Sequence, residues 1–307
     1  MANKYDNLVK ELTFTDDEFG YFKKTFLVEK DFLTYEHLSI RVGICDKPGS
    51  IIEEVDAMHT HDYEQLLLFF SSDLNHMLEL GGEVEVAIGE TGERHKFTIP
   101  TAVAIPKGMP HFSPRVISAS RDIFFVSLSN APAVKADVYP TDLKPDSGPL
   151  ARMRSPYSKY CTALKWQSKD GYLYGSEAYE FSGGFHTAFT GDSVGVPFLI
   201  TWQSIFLAHT MGPRTPKLTH VPHVHPFDEL VVLLSADSND LEHLGGEIEM
   251  SLGKEAEVHL VDKPGITLYP AHVPHTPNVF RQPWRPYIFF VICCSGSHET
   301  DTNEGNS

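Results

Sequence analysis

The sequence predicts an all-β protein made of two similar domains in tandem, and three observations predict it. Residues 59–127 align with residues 223–291 without a gap at a constant offset of 164. One repeat of so long a period means two related domains rather than a solenoid. The apolar segments are short, often alternate with polar residues, and are separated by Gly, Pro, Asn and Asp clusters, the pattern of a sandwich or barrel. The length of 307 residues with 41% hydrophobic content gives each half enough chain for its own core.

Taken in order, residues 1–30 mix charged and aromatic side chains, and a short helix is expected at 6–12. Strands follow at 37–44 (HLSIRVGI), 65–70 (QLLLFF), 83–89 (EVEVAIG), 102–106 (AVAIP) and 123–128 (IFFVSL). The second half repeats them at 198–209 (FLITWQSIFLAH), 229–234 (ELVVLL), 247–253 (EIEMSLG), 266–270 (ITLYP) and 287–292 (YIFFVI). The Pro-, Gly- and charge-rich stretch 139–156 marks a junction. The expected domains are therefore 1–145 and 146–294, and the polar residues 295–307 read as a disordered tail.

The balance of 25 Lys+Arg against 41 Asp+Glu disfavours nucleic acid or an anionic membrane as partner. No apolar run reaches membrane-spanning length, and the start MANKYDNLVK lacks the apolar core of an export signal. A cytoplasmic protein is expected, with Cys45, Cys161, Cys293 and Cys294 as free thiols, since their spacing is not that of a zinc site.

The repeated histidines carry the chemistry. The first copy has His59, His61, Gln65 and His111; the second has His223, His225, Glu229 and His275. Side chains two apart on a strand share a face, so His223, His225 and Glu229 point one way, as do His59, His61 and Gln65. The runs that follow, LVVLL and LLLFF, read as strands buried on both faces, where ionisable groups are costly unless paired or metal-bound. His275 and His111 follow a Pro-x-(Gly or His)-x-Pro turn that returns the chain towards the same place. Glu64 faces away by strand parity, unless a bulge turns it inward.

These residues resemble the two motifs of the cupins, and their duplication resembles a bicupin. The family pattern HxH(x)3–4E is matched by His223, His225 and Glu229. The pattern PxGxxH(x)3N is matched at Pro270 and His275, with His272 in place of Gly and Val279 in place of Asn, Asn278 lying one residue early. The first copy matches at His59, His61, Pro106, Gly108 and His111, with Gln65 replacing the carboxylate and Arg115 at the Asn position. The resemblance implies a double-stranded β-helix barrel in each half with a divalent transition metal at its mouth. Iron or manganese is the expectation, with nickel, cobalt or zinc as alternatives. The C-terminal set is the stronger site; the N-terminal set, lacking a carboxylate, is the weaker one.

The resemblance further implies an enzyme acting on a small-molecule substrate. The leading expectation is a dioxygenase for an aromatic diol or a dicarbonyl, with Glu229 as metal ligand and base. The alternatives are a metal-dependent isomerase, lyase or decarboxylase, and a non-catalytic small-ligand-binding bicupin. His272 reads as a turn residue tolerating positive φ, or as a second acid–base group beside the metal. Glu83 and Glu85, recurring as Glu247 and Glu249, read as a solvated outer face. Glu93 and His95, recurring as Glu257 and His259, read as an exposed hairpin. Trp202, Phe206 and His209 are expected to line the second barrel, and pairing of outer sheets into a homo-oligomer is expected from the fold.

Overall fold

A computed structural model describes residues 4–17, 20–29, 37–52, 55–152, 154–166, 186–212 and 221–295 of the chain. Beyond Ser295, the segment expected to be a disordered tail lies outside the described residues. Two compact units emerge. One takes Phe14–Leu164 and Gly191–Pro197; the other takes Met1–Thr13, Lys165–Thr190 and Phe198–Ser307. The division therefore departs from 145/146. The strand Cys161–Ala163 still belongs to the first unit because it pairs antiparallel with Thr101–Ile105, Cys161 opposite Val103. The start of the chain belongs to the second unit for the same kind of reason. Residues 6–12 do not form the expected helix: a short 3-10 turn, Asp6–Leu8, leads into strand Val9–Glu11, which pairs with Gly265–Tyr269. The backbone groups of this segment find partners far along the chain, which local propensity does not reveal.

In the first unit a six-stranded sheet runs Cys161–Ala163, Thr101–Ile105, Gln65–Ser71, Ile123–Ser129, Ser39–Cys45, Lys24–Val28. A four-stranded sheet runs Gly49–Ser50, Arg115–Ala119, Gly82–Ile88, Glu93–Phe97. The second unit repeats the plan, with Val9–Glu11, Gly265–Tyr269, Glu229–Ser235, Tyr287–Cys293, Leu199–Ile205, His186–Thr190 in one sheet. Its four-stranded sheet is His209–Met211, Asn278–Phe280, Ile248–Leu252, Glu257–Val261. Within these sheets the described strands pair antiparallel, so hairpin-length connections suffice, while an isolated bridge between Arg94 and Leu150 is parallel.

Strand parity decides what fills each barrel. In the first unit Leu67, Phe69 and Phe125 from the large sheet meet Val84, Val86 and Ile88 from the small one. In the second, Val231, Leu233 and Phe289 meet Ile248, Met250 and Leu252. Gln65 shares parity with Leu67 and Phe69, and Glu229 with Val231 and Leu233, so both polar side chains head an inward-facing row. Trp202 has the opposite parity from Leu199 and Ile205 of the second core; it is fully buried and packs on Phe290 instead of lining the barrel. His209 stacks flat on Phe280, with ring centroids 4.3 Å apart.

Two expectations about the outer face are corrected. Glu85 is buried rather than solvated, because Arg94, Lys96 and Arg115 lie 3.5, 3.8 and 3.6 Å from its carboxylate and screen it. Its counterpart Glu249 is partly exposed and paired with Arg281. The hairpin histidines are not exposed either: His95 and His259 are both buried, each beside the glutamate two residues earlier. No helix among the described residues is long and apolar enough to cross a membrane.

Candidate metal centres

In both barrels a pair of backbone hydrogen bonds sets the first two ligand-type side chains. His223 and His275 face each other across an isolated antiparallel bridge, with N–H to O distances of 3.1 and 3.0 Å. His59 and His111 do the same at 2.9 Å each way. The turn that brings the last histidine back is common to both copies. The N–H of Gly108 donates to His61 O and that of His272 to His225 O, each at 2.8 Å. Gly108 has φ 75° and His272 has φ 63°, so the turn needs the left-handed conformation and histidine accepts it in the second copy. The His272 side chain is exposed.

His223, His225 and His275 present donor atoms within 4.8 Å of one another, and so do His59, His61 and His111. All six rings are at most 5% exposed. Donors about 2.1 Å from a common ion lie at most about 4.2 Å apart, so both triads need little closure to share a cation. The chemistry of the rings fits as well. Burial, together with the neighbouring His59 and His61, holds His111 well below the ordinary imidazole value. Burial also lowers His275, partly opposed by the charge of Glu229. A neutral imidazole is the form that binds a metal. His223 Nε2 and His225 Nε2 stand 3.1 Å apart, two ring nitrogens facing one point.

The remaining ring nitrogens are held by the surroundings. His275 Nδ1 lies 3.0 Å from Val273 O, His111 Nδ1 3.0 Å from Met109 O, and His59 Nδ1 2.8 Å from Ala57 O. His223 Nδ1 instead meets the Thr276 hydroxyl at 2.8 Å. Such contacts fix the ring orientation and leave Nε2 for a ligand. A flat aromatic shelf supports the second histidine in each copy: His225 stacks on Phe227 with centroids 4.9 Å apart, and His61 on Tyr63 at 4.6 Å.

The fourth position separates the barrels. Glu229 Oε2 is 3.3 Å from His225 Nε2, and its Oε1 is 3.8 Å from His275 Nε2, so the carboxylate adjoins the triad as the spacing anticipated. Its cross-strand partners are Tyr269 on one side and Cys293 on the other. Tyr269 stacks on His275 and donates its hydroxyl to Asn278 Oδ1, while the Cys293 thiol donates to Glu229 Oε2 at 3.7 Å. Burial and then the charge of Glu229 push both Tyr269 and Cys293 above their ordinary values, so both stay protonated. In the first barrel Gln65 lies between Ile105 and Ser129, and its amide donates to Ser127 Oγ at 3.0 Å. The register there is unbroken. Glu64 points away and accepts a hydrogen bond from Asn130 at 2.9 Å, so no bulge carries it inward. Sequence reasoning missed Cys293 and Tyr269 as neighbours of the carboxylate; strand register, invisible in a single strand's pattern, puts them there.

No protein-family model matches the sequence, and none of the curated proteins matches it. Solved structures do. The chain is similar to the oxalate decarboxylase of Bacillus subtilis, studied for its Mn(II) centres, at 13% identity and a TM-score of 0.55, covering 91% of this chain and 74% of that one. It is also similar to the formate complex of Lactobacillus farciminis oxalate decarboxylase, at 11% identity and a TM-score of 0.60, covering 98% of this chain and 90% of that one. The chain has the bicupin fold. At these identities the likeness establishes architecture, and the bicupin plan agrees with the paired sheets and the two triads in matching positions.

Proposed function

We propose that this bicupin is a manganese-dependent decarboxylase of a small carboxylate substrate, working in its C-terminal barrel. The observation that carries the reading is the buried set His223, His225, His275 and Glu229, three imidazoles and a carboxylate, in a fold shared with oxalate decarboxylases. Such a set suits an octahedral divalent ion and leaves positions open. The sequence-based expectation of a dioxygenase using iron has no such support, because the similar solved structures are decarboxylases and one is described by its Mn(II) centres.

The ion, held by His223, His225, Glu229 and His275, would supply Lewis-acid stabilisation of negative charge on the substrate oxygens. The chain supplies the rest. Decarboxylation breaks the C–C bond to a carboxylate, releases CO2, leaves the electron pair on the adjoining carbon and adds a proton there, with no net oxidation. For a substrate bound with one acidic proton, as hydrogen oxalate has, Glu229 takes up that proton and returns it to the carbon that loses CO2. The Cys293 thiol and the flanking Tyr269 keep that carboxylate in place and keep bulk water from it. His272, exposed and on a turn shared with Gly108, takes no part in the transfer. The N-terminal triad His59, His61 and His111 would hold a second ion without a carboxylate beside it.

Anaerobic turnover is the test. Manganese-loaded protein is incubated with oxalate and with a panel of small 2-oxo acids and 1,3-dicarbonyls, and CO2 is measured with and without dioxygen. Release of CO2 without stoichiometric oxygen uptake supports the decarboxylase. Oxygen consumed one for one with substrate returns the dioxygenase reading, and binding without turnover leaves a ligand-binding bicupin.

A further inference from the structure

A second kind of cluster recurs in both barrels, away from the triads. Glu257 and His259 stand two apart on the edge strand Glu257–Val261, so their side chains share a face. The start of the chain crosses them. The N–H groups of Lys4 and Tyr5 donate to Glu257 Oε2 and Oε1 at 3.0 and 3.1 Å, and Asp6 Oδ1 lies 3.6 Å from His259 Nδ1. One donor atom from each of Asp6, Glu257 and His259 lies within 4.8 Å of the others.

Two further observations point to a ligand. His259 is 8% exposed, and its Nε2 makes no hydrogen bond. Glu257 Oε1 stands 2.8 Å from that nitrogen but off the direction an N–H would take. His95 Nε2 is orphaned beside Glu93 in the same way, so what distinguishes the second barrel is that a further carboxylate, that of Asp6, joins the imidazole and the glutamate, a donor set that a cation can share. The first barrel sharpens the point. Glu93 and His95 hold the equivalent places with the same close approach, 2.9 Å, but the third group is the Ser155 hydroxyl, which donates its proton to Glu93. In the second barrel Asp6 brings a second negative charge instead of a proton. Asp6 and His259 also line a cavity of about 410 Å³ together with Lys10, Glu11 and Lys263, giving an ion access.

We propose that Asp6, Glu257 and His259 form a divalent-cation site of the zinc class, distinct from both triads, that fastens the N-terminal arm to the C-terminal barrel. One imidazole with two carboxylates suits zinc better than calcium or magnesium, which favour all-oxygen ligands. Asp6 opens the 3-10 turn that runs directly into Val9–Glu11, whose partner strand carries Tyr269 against His275. The ion therefore secures an arm that borders the strand behind the C-terminal triad.

The test uses the full chain, stripped of metal and dialysed against zinc, as wild type and as Asp6→Asn, His259→Gln and His225→Ala variants. Bound zinc is counted, and tryptic cleavage after Lys10 is timed. Asp6 is exposed, so its isosteric amide variant keeps the fold. Expected is one zinc fewer in both Asp6→Asn and His259→Gln. At ten times its dissociation constant, zinc should slow arm cleavage about tenfold in wild type and His225→Ala, but not in the other two. A wild-type zinc count in either Asp6→Asn or His259→Gln, or equal zinc protection in all four chains, overturns the site.

Discussion

The two barrels place three imidazoles in matching positions, two of them facing each other across a β-bridge, yet they surround them differently. In the N-terminal barrel Gln65 sits between Ile105 and Ser129 and spends its amide on Ser127. In the C-terminal barrel Glu229 sits between Tyr269 and Cys293 and turns both carboxylate oxygens towards the triad. A shared backbone thus supplies the place where a cation fits, and the fourth residue decides whether a carboxylate or an amide faces it. A buried carboxylate is tolerated there through its imidazole and thiol partners, whereas the amide is met by one hydroxyl.

The most severe test of that contrast exchanges the two fourth residues. Glu229→Gln gives the C-terminal barrel the N-terminal set, and turnover of the decarboxylated substrate should fall on the order of 10³-fold. Gln65→Glu should leave turnover within about twofold while raising divalent-metal affinity in its own barrel. Equal loss of activity from both changes would mean that the barrels work as one catalyst. A smaller effect is expected from Thr276→Val, which removes the hydroxyl on His223 Nδ1. Manganese affinity of the C-terminal site should drop about 10–100-fold, with the N-terminal site unmoved because His59 leans on a backbone carbonyl. Metal content after graded chelation reads both sites.

Acid should weaken the metal-free protein. His111 and His275 lie below the ordinary value of 6.5 in the folded chain, so the unfolded chain takes up protons that the folded one refuses. Stability is level above pH 6.5 and falls as pH drops below it, by up to about 1.4 kcal/mol per pH unit for each such group. Melting curves of the apo protein at pH 7 and below check the sign, and bound manganese should flatten the slope. The smallest contrast concerns the turn. Gly108→Ala should cost about 1 kcal/mol, since φ 75° suits glycine, while His272→Gly should change turnover less than about twofold. A large loss of activity in His272→Gly, with melting unchanged, would restore that side chain to the reaction.

Both triads were legible in the sequence because each half repeats the same histidine spacing and the same Pro-x-(Gly or His)-x-Pro turn. Glu229 beside its triad and Gln65 in its place were legible from that repeat as well. Continuous strand parity does not join them to the histidines, because the chain bends at 62–63 and 226–227 before the strands Gln65–Ser71 and Glu229–Ser235 begin. What escaped was set by pairing between distant segments. Residues 6–12 looked helical, but Val9–Glu11 answers to Gly265–Tyr269. Glu85 looked solvated because alternation reports which face a residue takes, not whether Arg94, Lys96 and Arg115 will close over it. Cys293 ended an apolar run, and nothing local tied its thiol to Glu229. Trp202 fitted an inward row until the register placed its neighbours Leu199 and Ile205 there instead.

The arm has a consequence for how the protein comes into being. Tyr5 and Glu257, which it brings together, are 252 residues apart, so the arm is synthesised long before the strand that receives it. Among the described residues the sheets of the first barrel are built from strands between Lys24 and Ala163, which can pair while synthesis continues. The second must wait for Tyr287–Cys293 and then collect an edge strand made more than 250 residues earlier. Closure over so long a separation is slow, and until then the outer side of Gly265–Tyr269 stands open to any other extended chain. A tag or truncation at the N-terminus should therefore show itself first as C-terminal aggregation during expression, with the N-terminal barrel intact.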